Sequence, residues 1–272
     1  MTSYLSLFSL SNAYRIKEWA TPVAVFFITA LLSAGVIWHF DTMHVKEMRH
    51  TIQDMANENI FRLNNNINQI MALSYPLAST IHEDGKTEEF NFIAEKLLIS
   101  YPLISEIALA PDGIITHVVP LKGNEKAIGL NLLSDPYQQT EALLARQSGK
   151  LTLAGPLQLV QGGEGLVSRF PVFIGKNKKF YGFVFIVIRF PEILHASALK
   201  NLTKDGYKYT LTRVHPKTKQ LQIIAASGTN LDHPVETMIK LPNAQWSLKI
   251  APADGWHTQH WLLALEGAIG IF

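Results

Sequence analysis

From Trp19 to Phe40 the chain runs without a single Lys, Arg, Asp or Glu. As an α-helix that run is about 33 Å long, enough to cross a hydrocarbon core of roughly 30 Å. Trp19 and Trp38 stand near its ends, where amphipathic rings favour the membrane interface. A buried core helix seldom runs so far without charge, and the apolar part of a cleaved signal peptide is shorter. The pattern therefore predicts an uncleaved anchor over 19–40, preceded by a tail over 1–18. Arg15 and Lys17 before it nearly balance Lys46 and Arg49 after it, which leaves the orientation open. Next, Val45, Met48, Ile52 and Met55 keep a 3-4-3 spacing, and Ile60, Leu63, Ile67 and Ile70 resume it after a shift of five. Beside a membrane span this predicts a stalk helix over 41–79 that pairs with a second copy as a coiled coil. The alternative is a monomeric helix that lays the same stripe on its own domain.

Past the stalk, Glu88–Tyr101 has a helical apolar face and strands follow. Ile104–Ala110 and Ile114–Val119 flank Pro111-Asp112-Gly113, a hairpin signal. A helix over Pro136–Gln147 opens at Ser134-Asp135 and closes at Gly149. Strands are predicted at Thr152–Val160, Leu166–Ile174 and Phe180–Arg189, then a short helix from Pro191 to Lys200. A smaller set covers Tyr207–Val214, Gln220–Ala226 and Trp246–Ile250. Finally Trp261–Phe272 is mostly apolar and stops at the chain end. With Trp256 and Trp261 as interfacial residues, it reads as the start of a truncated second span over 257–272, despite Glu266. Two spans would place 41–256 on one side of the membrane. The fold class is α+β: an anchored stalk helix, then antiparallel-sheet sub-domains over 80–190 and 191–256.

Composition narrows the chemistry. Hydrophobic residues are 47% and charged residues 17%, against about 25% charged for an average soluble domain, which suits a chain partly in lipid. A net charge of +2 without a long basic run gives no support for nucleic-acid binding. The absence of Cys excludes disulfide scaffolds, Cys-based zinc sites and thiol nucleophiles. Gln161-Gly-Gly-Glu-Gly165 lacks the Gly-Lys-Ser/Thr ending of a phosphate loop and lies between strands, so it reads as a turn bordering a pocket. His82-Glu83-Asp84 and His257/His260 have poor metal-ligand spacing, and no Gly-x-Ser-x-Gly elbow occurs. No catalytic residue, metal ligand or cofactor is expected. Strand alternation sets Val167, Arg169 and Phe173 on one face, opposite Leu166, Ser168, Phe170 and Val172. Among apolar neighbours, Arg169 is exposed, paired with Glu106 or Asp112, or waiting for an anion.

One ordered set of residues points to a family. Asn131-Leu-Leu-Ser-Asp-Pro136, Ala145-Arg-Gln-Ser-Gly-Lys150, Leu153-Ala-Gly-Pro156, Phe170-Pro-Val-Phe173 and Tyr181-Gly-Phe183 resemble, in that order, the CHASE family. These are extracytoplasmic ligand-sensing modules of bacterial and plant receptors, the plant cytokinin receptors among them. The likeness covers roughly residues 80–200. It implies two PAS-like sub-domains between two spans, with the ligand in the membrane-distal one over 80–190 and the membrane-proximal one over 191–256. Where the cytokinin receptors place an adenine-binding Asp, this chain has Asn131; Leu153 matches a pocket Leu, and Gly162 replaces a polar Thr. Asn131, Leu133, Leu153, Leu159, Gly162 and Arg169 are thus the expected ligand contacts. Asn cannot make the charge-assisted bond of an Asp, which argues against a cytokinin and leaves the pocket.

The resemblance implies a periplasmic input module in a bacterial inner membrane, sensing a small organic ligand. It would signal to a histidine kinase, or a diguanylate cyclase or phosphodiesterase, outside this chain. A second copy is expected through the stalk helix. The alternative is a membrane-anchored dimeric interaction domain with no small-molecule ligand.

Overall fold

The structure is a computed structural model that describes residues 5–215 and 218–256, with side chains from 20 onward. The apolar run after 257, with its expected second span and His257/His260, lies outside the described residues. The chain forms two compact units, 1–51 with 255–272, and 52–254.

Helix α1 (Leu5–Ala72) contributes to both units. In the first unit it carries a stretch long and apolar enough to cross a membrane, none of which is buried against the chain. Trp38, for instance, is 72% exposed. Such a surface is stable in lipid and costly in water. Below it, the Arg49 guanidinium lies over the Trp256 ring, 4.1 Å from its centroid.

In the second unit, Ile52, Ile60, Leu63, Ile67 and Ile70 of α1 are all buried within the chain itself. Asn66 donates to Ser197, and Thr237 donates to Asn57, so α1 lies along the globular region. The expected coiled-coil seam through these residues is corrected: the stripe is spent on its own domain. A 3-4 apolar spacing fits a domain face as well as a partner helix, since both ask only for a stripe on one side. α2 (Ser74–Ser79) and α3 (Phe90–Ser100) continue the chain.

The first sheet contains β1 (Ile104–Pro111), β2 (His117–Val119), β3 (Thr152–Gln158), β4 (Glu164–Ile174) and β5 (Lys179–Phe190). It is antiparallel with order β2-β1-β5-β4-β3. α4 (Gln139–Ser148) covers one face, where Ala142 and Ala145 join Ala108, Val167, Phe183 and Phe185 in a buried cluster. On the other face Tyr75 of α2 meets Phe170 edge-on at 4.8 Å. The predicted strands and hairpin are present, with ends moved by a few residues.

The single helix expected after Pro191 is instead α5 (Glu192–Ala196) and α6 (Leu199–Lys204), broken where Ala198 takes a left-handed φ of 62°. The second sheet has β6 (Tyr207–Val214), β7 (Leu221–Ala226), β8 (Val235–Leu241) and β9 (Ala244–Pro252), in the order β7-β6-β9-β8. β8 was not expected. Its alternation buries Val235, Ile239 and Leu241 and exposes Glu236, Met238 and Lys240, a polar-out pattern that reads weakly in sequence.

Candidate functional site

The face of the first sheet under α4 holds an unusual pair of charges. β1 alternates, so Glu106 shares this face with Ala108 and Ala110. Glu106 is 2% exposed. Its partner is an amide: Gln161 Nε2, from the β3–β4 turn, donates to Oε2 at 2.7 Å. Burial without a nearby cation pushes the Glu106 carboxyl up to about 7, partly offset by the Gln161 bond.

Arg169 lies on the same face from β4 and is fully buried. It pairs with neither Glu106 nor Asp112. Its Nη2 donates to Gln138 Oε1, while Nε and Nη1 have no hydrogen-bond partner among the described residues. Burial lowers its pKa to about 10, and the carboxylates of Glu141 and Asp135 act against that shift. Buried polar nitrogens without partners are rare in folded proteins and costly.

Beside Glu106 and Gln138 lies a narrow, partly open cavity of about 10 Å³, room for about one water molecule. Val167, Phe185 and Val187 form its floor, and Ile115, Ala127 and Leu130 its roof. Glu106 and Gln161 border one part of it; Gln138, which holds Arg169, borders another. Leu159 and Gln161 also line a second, outer hollow of about 390 Å³ that reaches Lys122, Asn124 and Arg189. The turn 159–163 is therefore the wall between the two. Gly162 and Gly163 take φ of 103° and 76°, and no atom lies within 4 Å of where a Cβ would stand on either.

The six expected contacts divide. Leu159 borders both spaces and Gly162 the outer one. Arg169 stands behind Gln138, one side chain from the cavity. Asn131 closes its own turn: its Oδ1 accepts the Leu133 N–H at 2.9 Å, the Asx geometry that competes with any outward role. Its neighbour Leu130 lines the cavity instead. Leu133 packs over Gly113, where a Cβ would come within 2.7 Å of the Leu133 side chain. Leu153 pairs with Ser168, and so its side chain belongs to the opposite face of the sheet from Arg169. Sequence reasoning missed Glu106 and Gln138 as site residues, and read Gln161 only as part of a turn bordering a pocket. The one signal for Glu106 is a lone acid in the apolar run Ile104–Ala110.

No curated protein matches the sequence. Residues 104–223 match the family model of the CHASE domain. Among solved structures, an extracellular ligand-binding receptor from Desulfohalobium retbaense aligns at 14% identity with a TM-score of 0.56, over 72% of this chain and 39% of that one. The chain thus spans well under half the length of that receptor. The ligand-binding domain of the Pseudomonas aeruginosa amino-acid chemoreceptor PctC, solved with GABA, aligns at 14% identity and TM-score 0.53, over 75% of this chain and 98% of its own. That of chemoreceptor PctB from the same organism, solved with L-Arg, aligns at 13% and 0.56, over 77% and 97%. At these identities the likeness is one of fold: a long apolar N-terminal helix followed by two antiparallel sheets, as in sensor domains.

Proposed function

We propose that this chain, which carries a CHASE domain over residues 104–223, is the extracytoplasmic ligand-sensing input module of a transmembrane signalling receptor. The observation that carries this reading is the cavity between Glu106 and Gln138, with the 159–163 turn as its wall. Ligand sites are concave, mostly apolar and furnished with a few placed polar groups; the cavity supplies the placed groups, and the outer hollow of about 390 Å³ across that wall supplies the volume. The P. aeruginosa domains solved with GABA and L-Arg lend support for a small polar organic ligand. The apolar part of α1 anchors the module in a bacterial inner membrane, with 41–256 outside the cytoplasm. Output passes to a histidine kinase or a cyclic-dinucleotide enzyme.

The receptor works as a dimer. Since the inward stripe of α1 is buried, the seam lies on its outward face, where Phe61 is 64% exposed.

A thermal-shift screen of the full chain in detergent micelles tests the sensing role. The panel spans amino acids, organic acids, amines, nucleobases and sugars. At least one compound should raise the melting midpoint, because a ligand that binds only the folded state stabilises by about 2.7 kcal/mol at a hundred times its Kd. If no compound in the panel moved it, the interaction-domain reading would replace this one.

A further inference from the structure

Glu106 and Arg169 occupy the same sheet face at a definable separation. The register sets Glu106 opposite Val187 and Val187 opposite Val167, with Arg169 two residues beyond. Two strand spacings and one two-residue step put their Cα atoms about 12 Å apart. The apolar floor of the cavity, Val167, Phe185 and Val187, lies between them. An acid and a guanidinium are therefore buried on one face without neutralising each other.

We propose that this face is the closed form of a binding site for a small dipolar molecule, its basic nitrogen seated on Glu106 and its oxyanion on Arg169. The proposal rests on the sensor reading and names the ligand class of that site. Three observations carry it. First, a buried carboxylate calls for a cation or several donors, and Glu106 has one amide donor from a turn. That amide, on Gln161, is what a ligand nitrogen would replace. Second, Arg169 keeps Nε and Nη1 without partners among the described residues; each shares an edge of the planar guanidinium with Nη2, so a two-point bond to a carboxylate uses one of them together with the Nη2 that Gln138 now holds. Asp135 and Glu141, the carboxylates near it, support its charge without bonding it. Gln138 takes the remaining nitrogen and also borders the cavity, so a ligand oxyanion would arrive where Gln138 now stands. Third, access is built in. Outward motion of the 159–163 turn, loosened by Gly162 and Gly163, withdraws Leu159 and Gln161. The cavity then joins the outer hollow of about 390 Å³, within the range of roughly 300–1,000 Å³ for small-ligand sites.

Charge compensation makes the two ends act together. A molecule with one charge leaves either Glu106 or Arg169 buried and unanswered, whereas a dipolar one answers both. The raised Glu106 carboxyl fits an acid still waiting for its cation, and binding of a cationic nitrogen would draw its proton off.

The probes are straight-chain ω-amino acids of increasing length, each matched with the amine and the carboxylate that lack its other end. They are tested by melting midpoint and calorimetry on the full chain in detergent micelles. At least one dipolar probe should raise the midpoint while its single-ended partners do not. Glu106→Gln, nearly the same shape, should weaken that probe roughly thirtyfold or more, and Arg169→Gln likewise. If Arg169→Gln does not fold, Arg169→Lys keeps the charge, loses the planar fork and should also weaken binding. Gln161→Ala removes the latch and neither anchor, and should bind the probe at least as tightly as wild type. If no dipolar probe binds, or if one binds wild type and Glu106→Gln equally, the assignment is overturned. A hit among neutral or single-ended compounds of the broader panel would then leave the sensor reading standing without it.

Discussion

Glu106 is where a single side chain sets a measurable property of the whole chain. Its carboxyl titrates near 7 in the folded chain against 4.5 ordinarily. Between those values the folded chain holds a proton that the unfolded chain has released, so stability falls as pH rises through that window and is level above it. At about pH 8 this group should cost up to about 3 kcal/mol relative to about pH 5, and Glu106→Gln should remove the slope. Among the described residues no other ionisable side chain lines the cavity. Carboxyls with lowered values, such as Asp84 and Glu125, act in the opposite sense in both proteins, so the difference between their two pH profiles isolates Glu106. Parallel profiles would mean that the carboxylate already has its counter-charge. Little of this was legible in advance. Alternation assigns Glu106 to a face of β1, but which loop closes over that face is a long-range fact. Asn131 shows the converse. It was expected as a ligand contact, and its Oδ1 accepts the Leu133 N–H, closing its own turn beside Leu130 of the cavity lining.

At the scale of elements, the free edge of β3 is the most informative feature. β3 ends the first sheet, and an unpaired edge invites misassembly. Here it is covered by side chains from the second sheet. Asn243, in the β8–β9 turn, accepts from Leu153 N at 2.7 Å and donates to Leu153 O at 3.0 Å, imitating one rung of a ladder. Arg213 of β6 donates to Gly155 O and to Gln222 Oε1. The residues between and beside these grips, Thr152 and Ala154, belong to the face that carries Arg169 and Val167. The face that carries Arg169 is thereby tied to the second sheet. Asn243→Ala should lower stability by about 1–3 kcal/mol, because it leaves a buried N–H and C=O without partners. Asn243→Asp, which keeps the acceptor and loses the donor, should fall between. Chemical denaturation of the full chain checks the order, and equal stability of all three would mean that water serves the edge as well. Strand periodicity made seven of the nine described strands visible close to their true bounds; β2 was drawn too long, and β8 was missed. The grip across the β3 edge was invisible, since nothing in Leu241-Pro-Asn-Ala244 distinguishes a turn that bonds its own chain from one that bonds another sheet.

For the whole molecule, the question is what the stalk does with two faces. Its inner stripe, Ile52 through Ile70, is buried and cannot also be a seam between copies without unfolding the domain against which it lies. The outer face repeats at Phe61, Asn65, Asn68 and Ala72, a 4-3-4 spacing that keeps one side of the helix. A sequence stripe says that a helix has an apolar side; it does not say whether the chain's own sheet or a second helix answers it. The stronger stripe therefore suggested a seam at positions that the chain's own domain covers. The chain has no Cys, so single replacements report without background. Cysteine at Phe61, Asn68 or Ala72 should cross-link between copies under mild oxidation in membranes, and cysteine at Leu63 or Ile67 should not. Leu63→Cys and Ile67→Cys also hollow the core and should lower the unfolding free energy by about 2–4 kcal/mol, read as a lower melting midpoint, which separates a buried position from a merely unpaired one. Cross-linking at Leu63 or Ile67 alone would restore the inner seam and require the domain to open in the receptor. With no cross-link at any of the five positions, the stalk would be a monomeric strut, and ligand signals would have to cross the membrane within one chain.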